Sequence, residues 1–239
     1  MVKPIISIII VDFKAEKYLP NCLASIKKHL NARHEIIVVD NNKVNRGFAK
    51  AANIGAKKAC GEYLFFLNPD AIIERGDFEK LIDYLNSHSR IGVMGLKMVL
   101  GNGSPQPFSF GAKYSLFGAV KQKLGMAIKL TESNPDWVSG GAMIVKTAVF
   151  HKLGGFNEQF FMYFEDQDLC LRAKDLDYRV VLWENITVTH LGGVPQSGGS
   201  HGNIAKQVEM YKKSQALFMK KHYNLVYFSI FKLLRSLWL

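Results

Sequence analysis

Side chains suited to chemistry gather at a few points along the 239-residue chain. Asn68-Pro69-Asp70 interrupts an apolar run, Phe65-Phe66-Leu67, before Ala71-Ile72-Ile73 resumes it. A carboxylate at such a break can hold Mg2+ or Mn2+, hard ions that keep water and borrow phosphate oxygens. Asn68 can hydrogen-bond a hydroxyl, while an ordinary Pro-Asp turn accounts for the same residues. Glu165, Asp166 and Asp168 cluster in FEDQDLCLRA at the start of helical spacing. A helix dipole favours negative charge there by roughly 0.3–1 kcal/mol. The cluster therefore reads as capping carboxylates, or as the source of one general base able to deprotonate an attacking hydroxyl. His190 ends the run ITVTH, and Gly192-Gly193 behind it give backbone room beside a ligand. Imidazole suits Mn2+ among other metals, though a histidine after a strand also serves structure. Gly140-Gly141, after Trp137, allow close approach of a bulky polar substrate.

These groups need elements to position them. Ile5–Val11 is a continuous β-branched run, as expected of a strand covered on both faces. Leu19, Cys22, Leu23, Ile26 and Leu30 follow at helical spacing. Glu35–Val39 reads as a second strand ending in Asp40, Gly47–Cys60 as a helix stopped by Gly61, and Tyr63–Leu67 as a third strand. Phe78, Leu81, Ile82 and Leu85 mark another helix. Such alternation implies a mainly parallel α/β sheet with right-handed crossovers. Asp12, Asp40 and Asn68/Asp70 then stand at carboxyl ends of strands, where open α/β sheets bind ligands. Residues 101–136 have weak periodicity, and KYSLFGAVKQKLGMAIK within or beside them reads as a mobile or acceptor-facing segment. DWVSGGAMIV is expected as one strand, FMYFEDQDLCLRAKDLDYRVVLW as loop, helix and strand, and ITVTHLGG as a further strand. Residues 201–222 favour a polar, basic helix.

Apolar content of 48% with 21% charged residues excludes a disordered chain. Cys22, Cys60 and Cys170 lie far apart without CxxC spacing, so they read as reduced thiols of a cytosolic protein. The opening MVKPIISIIIVDF reads as a first core strand, not a signal peptide. The net charge of +11 is uneven: residues 200–239 hold seven Lys/Arg against Glu209. No helix-turn-helix, RRM or zinc signature directs that charge to nucleic acid. The tail HYNLVYFSIFKLLRSLWL mixes Trp, Phe and Leu with basic residues and falls short of the roughly 20 apolar residues that span a bilayer. It suits a helix lying on an anionic membrane surface through residues 223–239, or one packing on the domain or on a homodimer partner.

In their order, SIIIVDFKAEKYLPNCLASI, EIIVVDNN, NRGFAKAANIGAKKACGEYLFFLNPD, WVSGGAMIVKTAVFHKLGGFNEQFFMYFEDQDLCLRA and YRVVLWENITVTHLGG resemble glycosyltransferase family 2 over about residues 5–195. The nearest likeness is to the rhamnosyltransferase-like branch, which carries NPD where others carry DXD. The resemblance implies a GT-A (Rossmann-like) fold in residues 1–200, with residues 201–239 a basic amphipathic extension. It also implies a nucleotide-diphosphate sugar donor, Mn2+ or Mg2+, and inversion at the anomeric carbon. On the matching positions, Asp40 would contact the nucleotide base, Asn68 the ribose, and Gly140 and Gly141 the donor sugar. Asp70 and His190 would hold the metal on the diphosphate, Asp166 would be the catalytic base, and Glu165 would contact acceptor or base. Asp12 and Lys14 replace the family's usual Asn-aromatic-Asn pattern beside the nucleotide.

The expected function is transfer of rhamnose or a hexose to a saccharide or lipid-linked acceptor in envelope polysaccharide assembly. It would take place in the cytoplasm, on the inner face of the membrane. The family normally places a loop, a helix and a short strand between VDNN and NxGF. Here Asn42 reaches Asn45-Arg46-Gly47-Phe48 almost at once, so a sheet-edge element is expected to be missing. That shortening favours an alternative, a non-catalytic nucleotide-sugar or glycan-binding module of the same fold.

Overall fold

The computed structural model describes residues 4–118, 135–192 and 204–238. The strands are β1 (Ile6–Asp12), β2 (His34–Asp40), β3 (Tyr63–Leu67), β4 (Ala71–Arg75), β5 (Ile91–Leu100), β6 (Phe110–Gly111), β7 (Trp137–Val138), β8 (Ala142–Lys146) and β9 (Arg179–His190). The helices are α1 (Leu19–His29), α2 (Phe48–Ala56), α3 (Phe78–Ser87), α4 (Thr147–Lys152), α5 (Glu165–Asp175), α6 (Ile204–His222) and α7 (Leu225–Trp238).

Because successive side chains of a strand point to opposite faces, a strand covered on both must be apolar throughout. In β1, Ile6, Ile8 and Ile10 face a core with Cys22 and Ile26 of α1 and with Phe78 and Leu81 of α3. Ile9 and Val11 face the other way, against Ala49, Ala51 and Ala52 of α2 and Leu169 and Cys170 of α5. β3 divides likewise, with Phe65 on the first face and Phe66 on the second. Fully burying each such ring is worth about 1.5–3 kcal/mol.

The main sheet has seven strands in the order β2-β1-β3-β8-β5-β9-β4. β1 is parallel to β2 and β3, and β5 is parallel to β9, whereas β8 and β4 run against their neighbours. The expected α/β sheet, mainly parallel and flanked by helices, is therefore present. A separate antiparallel pair joins β6 to β7.

Several boundaries differ from the sequence reading. The helix expected over Gly47–Cys60 runs only over Phe48–Ala56. Gly47 stands outside it at φ 80°, where a Cβ would lie 2.2 Å from the Phe161 carbonyl oxygen. Phe48 N–H donates to that same oxygen at 2.8 Å, which fixes where the helix starts. DWVSGGAMIV is not one strand, since Ser139-Gly140-Gly141 separates β7 from β8. Conversely, the two strands expected on either side of Glu184 are one strand, β9, whose register against β5 shifts between Leu96 and Lys97. β2 is the sheet edge, and residues 41–47 join it directly to α2.

α6 and α7 pack on the α5 side of the molecule, where Phe160, Phe164 and Leu171 meet Phe218, Met219 and Phe231. Among the described residues, no helix is long and apolar enough to cross a membrane. Most of the basic-aromatic stretch after Lys113, and Gly193, lie outside the described residues.

Candidate active site

The pairing of β4 with β9 sets Ala71 opposite His190, and Leu191 N–H donates to the Asp70 carbonyl at 2.9 Å. The Asp70 side chain consequently meets the imidazole, with Oδ1 3.0 Å from His190 Nε2. Both side chains are largely buried. Asn68 Nδ2 lies 3.2 Å from the same nitrogen, and Gln106 Oε1 lies 3.3 Å from Nδ1. A proton on Nδ1 is donated to Gln106 Oε1 and leaves the Nε2 lone pair to accept from Asn68 Nδ2. The Cys22 thiol, against the Asn68 carbonyl at 3.6 Å, is pushed up to about 12 by burial and then by the Asp70 charge.

The second group sits at the start of α5. Tyr163 and Phe164, just before it, adopt left-handed backbone at φ 72° and 68°. Such strain costs on the order of 1–3 kcal/mol per residue and persists only where packing enforces it. Here Phe164 packs against Phe218 of α6, with ring centroids 5.1 Å apart. The turn sets Glu165 and Asp166 at the helix N-terminus. Asp166 Oδ2 accepts from Gly140 N–H at 3.1 Å and Oδ1 from Gln167 N–H at 2.8 Å. Burial raises its pKa, and these N–H groups oppose the rise. Glu165 is raised well above the usual carboxylate range by burial, and next by the adjacent Asp166 charge. Its Oε2 is buried without a hydrogen-bond partner. Of the two, Glu165 is raised further and so holds its proton more tightly than Asp166.

Gly140-Gly141 joins the two groups. Gly140 N–H donates to Asp166, and the Gly141 carbonyl accepts from Asn68 N–H at 3.0 Å. A Cβ on Gly140 would lie 3.7 Å from the Asp166 Cβ, and one on Gly141 would lie 3.3 Å from Asn68 Nδ2. The break between β7 and β8 therefore contacts the acid of α5 through Gly140 and the Asn68 backbone through Gly141.

The third group is at the ends of β1 and β2, where Asp12 and Asp40 are register neighbours. Asn42 spans them: its Nδ2 donates to Asp12 Oδ2 at 3.0 Å and its N–H to Asp40 Oδ1 at 2.8 Å. Its Oδ1 accepts from Lys14 N–H at 2.6 Å. Asp12 Oδ1 is buried without a hydrogen-bond partner. Asn41, 2% exposed, closes the short loop by accepting from Arg46 N–H and donating to Asn45.

Every candidate carboxylate and the histidine thus stand at strand ends or at the α5 N-terminus. Gln106, Asn41 and Asn42 were not among the sequence candidates; the VDNN adjacency marks the two asparagines, while nothing in the weakly patterned 101–118 stretch marks Gln106. Asp168, from the same acidic cluster, is fully buried and serves another purpose. It takes Arg172 Nε at 2.7 Å and His222 Nε2 at 2.9 Å, with Lys221 Nζ at 3.6 Å. Burial raises its pKa, but His222 and Arg172 overcome that and hold it below the usual range. Among the described residues, no group of three or more His, Cys, Asp or Glu side chains is placed to hold a metal ion.

A mostly parallel sheet with helices on both faces and acids gathered at its strand ends has the architecture of a GT-A glycosyltransferase. The chain belongs to the family described as "Glycosyltransferase like family 2", which matches residues 2–190. It is 24% identical over 216 residues to the low-salt glycan biosynthesis hexosyltransferase Agl10 of Haloferax volcanii, covering 80% of this chain and 69% of that one. It is 26% identical over 164 residues to the N-acetylglucosaminyl-diphospho-decaprenol L-rhamnosyltransferase of Mycobacterium tuberculosis, covering 62% of this chain and 53% of that one. In fold it is similar to GalNAc-T7, solved with UDP, GalNAc and Mn2+, at TM-score 0.61 and 13% identity. That likeness covers 88% of this chain and 47% of GalNAc-T7, so the chain spans about half the length of the latter two.

Proposed function

We propose that the protein transfers a sugar, rhamnose or a hexose, from a nucleoside-diphosphate donor to a saccharide or lipid-linked hydroxyl, with inversion. The observation carrying this reading is the hydrogen bonding of Gly140-Gly141 to Asp166 on one side and Asn68 on the other. It supports a donor sugar resting on the glycine pair between diphosphate site and base. Asp166 takes the acceptor proton, with buried Glu165 keeping its own and sparing the site a second charge. Asp40, Asp12 and Asn68 bind the nucleoside.

The donor set Asp70/His190 fits Mn2+ or Mg2+: one carboxylate and one imidazole, with remaining positions left to phosphate oxygens and water. A bound ion supplies neutralisation of charge on the departing diphosphate. The names of relatives, hexosyltransferase and a rhamnosyltransferase acting on a decaprenol-linked sugar, support the donor and acceptor classes.

A membrane-surface location has its own support in α7. Phe231 is buried, while Leu225, Val226, Ile230 and Leu233 are 78%, 69%, 46% and 62% exposed on another side of the helix. With Lys232 beside them, these residues suit an interfacial helix on anionic lipid.

A donor panel reading nucleotide release with and without Mn2+ tests the catalytic reading. Metal-stimulated release from a deoxythymidine- or uridine-diphosphate sugar is expected. Binding by calorimetry with neither transfer nor hydrolysis would instead favour a non-catalytic module, the reading that the short 41–47 connection supports.

A further inference from the structure

We infer that β2 is the interface of a two-fold dimer, in which the strands of two copies pair antiparallel about Ile37 and make one continuous sheet. The edge is long, and among the described residues no strand pairs with its outer side. Sheet edges are ordinarily blunted by lysine, proline, a bulge or a covering segment. β2 reads His-Glu-Ile-Ile-Val-Val-Asp, and its ladder with β1 runs from Ile6↔His34 to Asp12↔Asp40 without a register shift. Its outer face is also apolar. Ile8 and Ile10 are fully buried beneath α1, whereas their register neighbours Ile36 and Val38 are 38% and 41% exposed.

The backbone selects the register. Arg33 C=O accepts from Ile5 and Ile6 N–H, and Asn41 N–H donates to the Asp12 carbonyl. Odd-numbered residues of the segment therefore direct their backbone groups to β1, and His34, Ile36, Val38 and Asp40 direct theirs away from it. Antiparallel pairing about Ile37 sets His34 of one copy opposite Asp40 of the other, and Ile36 opposite Val38. Each such pair comprises two outward-directed residues, so each exchanges two backbone hydrogen bonds. The same register joins the apolar pair across the axis and sets His34 beside the Asp40 carboxylate at each end. Two-fold pairing uses both β2 edges, so assembly through this strand stops at the dimer.

The test is sedimentation velocity on the full chain over a wide concentration range. A reversible dimer is expected, and Ile36→Lys with Val38→Lys should weaken it at least roughly tenfold by setting like charges face to face. Unchanged circular dichroism confirms that the variant folds, since both side chains are surface-exposed. Register is read in a Cys60→Ser background by mixing Ile36→Cys chains with Val38→Cys chains. The mixed disulfide should exceed either homodisulfide, because directly opposed residues lie within disulfide reach. A chain monomeric at all concentrations, a dimer indifferent to the lysines, or a dimer abolished only by trimming α7 would overturn the proposal.

Discussion

Asp70 and His190, 120 positions apart in the chain, meet at 3.0 Å because β4 pairs antiparallel with the last residues of β9. The two share a site because one strand begins where the other ends. If the pair holds the diphosphate and its ion, Asp70→Asn should lower Mn2+-dependent donor affinity at least about tenfold, as should His190→Ala. Calorimetry with the nucleoside diphosphate, with and without Mn2+, measures this. Equal affinity in both variants and in the wild type would detach the pair from the donor.

The two site glycines should respond differently to alanine. A Cβ on Gly140 meets Phe48 at 3.4 Å and Asp166 at 3.7 Å, ordinary contacts, whereas one on Gly141 meets Met98 Cε at 3.0 Å. Gly140→Ala should therefore fold with unchanged melting temperature and raise the donor KM. Gly141→Ala should push the flexible tip of Met98 and the Asn68 amide aside by a few tenths of an ångström, at a cost below about 1 kcal/mol. Thermal melts beside donor kinetics separate the two effects.

Burial raises the Asp166 pKa, so its base form is lost at higher pH than for an exposed aspartate. The acid limb of kcat/KM should accordingly lie above 3.8, the ordinary aspartate value. Glu165→Gln removes the neighbouring charge that ionises as pH rises, and should leave the limb in place while sustaining activity further into the alkaline range. The pH–rate profiles of both proteins check this.

Folded Glu165 has a raised pKa, so it stabilises most below 4.5 and that contribution is lost as pH rises through its folded value. Asp168 has the opposite sign: its lowered pKa gives stability present above 3.8 and lost as pH falls through the folded value. Asp168→Asn should thus cost about 3 kcal/mol near neutral pH, since it leaves Arg172 and His222 facing a neutral group. The deficit should shrink in acid. Denaturant melts across pH report it, and should show α6 loosening first because His222 belongs to that helix.

Much of this arrangement was legible in the residues themselves. Ile6 to Val11 and Tyr63 to Leu67 announce doubly covered strands, and acids following each mark the ligand-binding edge. Asp70 ends an apolar run for a local reason: residues 68–70 turn β3, inside the sheet, into β4 at its edge, delivering the carboxylate to His190. What could not be read was long-range. The kink separating β7 from β8 depends on Gly140 and Gly141 contacting Asp166 and Asn68, partners distant in sequence. Gln106 reaches His190 only because its N–H is tied to the Met98 carbonyl on β5. Asp168 looks like Asp166 in sequence, and only the arrival of His222 from α6 tells the structural acid from the candidate base.

On the proposed reading the Asp166 carboxylate deprotonates the acceptor beside a donor held by the Asp70/His190 group. Single-turnover transfer by Asp166→Asn, with donor affinity measured on the same preparation, tests it most directly. A rate lower by roughly 10²–10⁴-fold with donor affinity retained is expected. Transfer at the wild-type rate would contradict it.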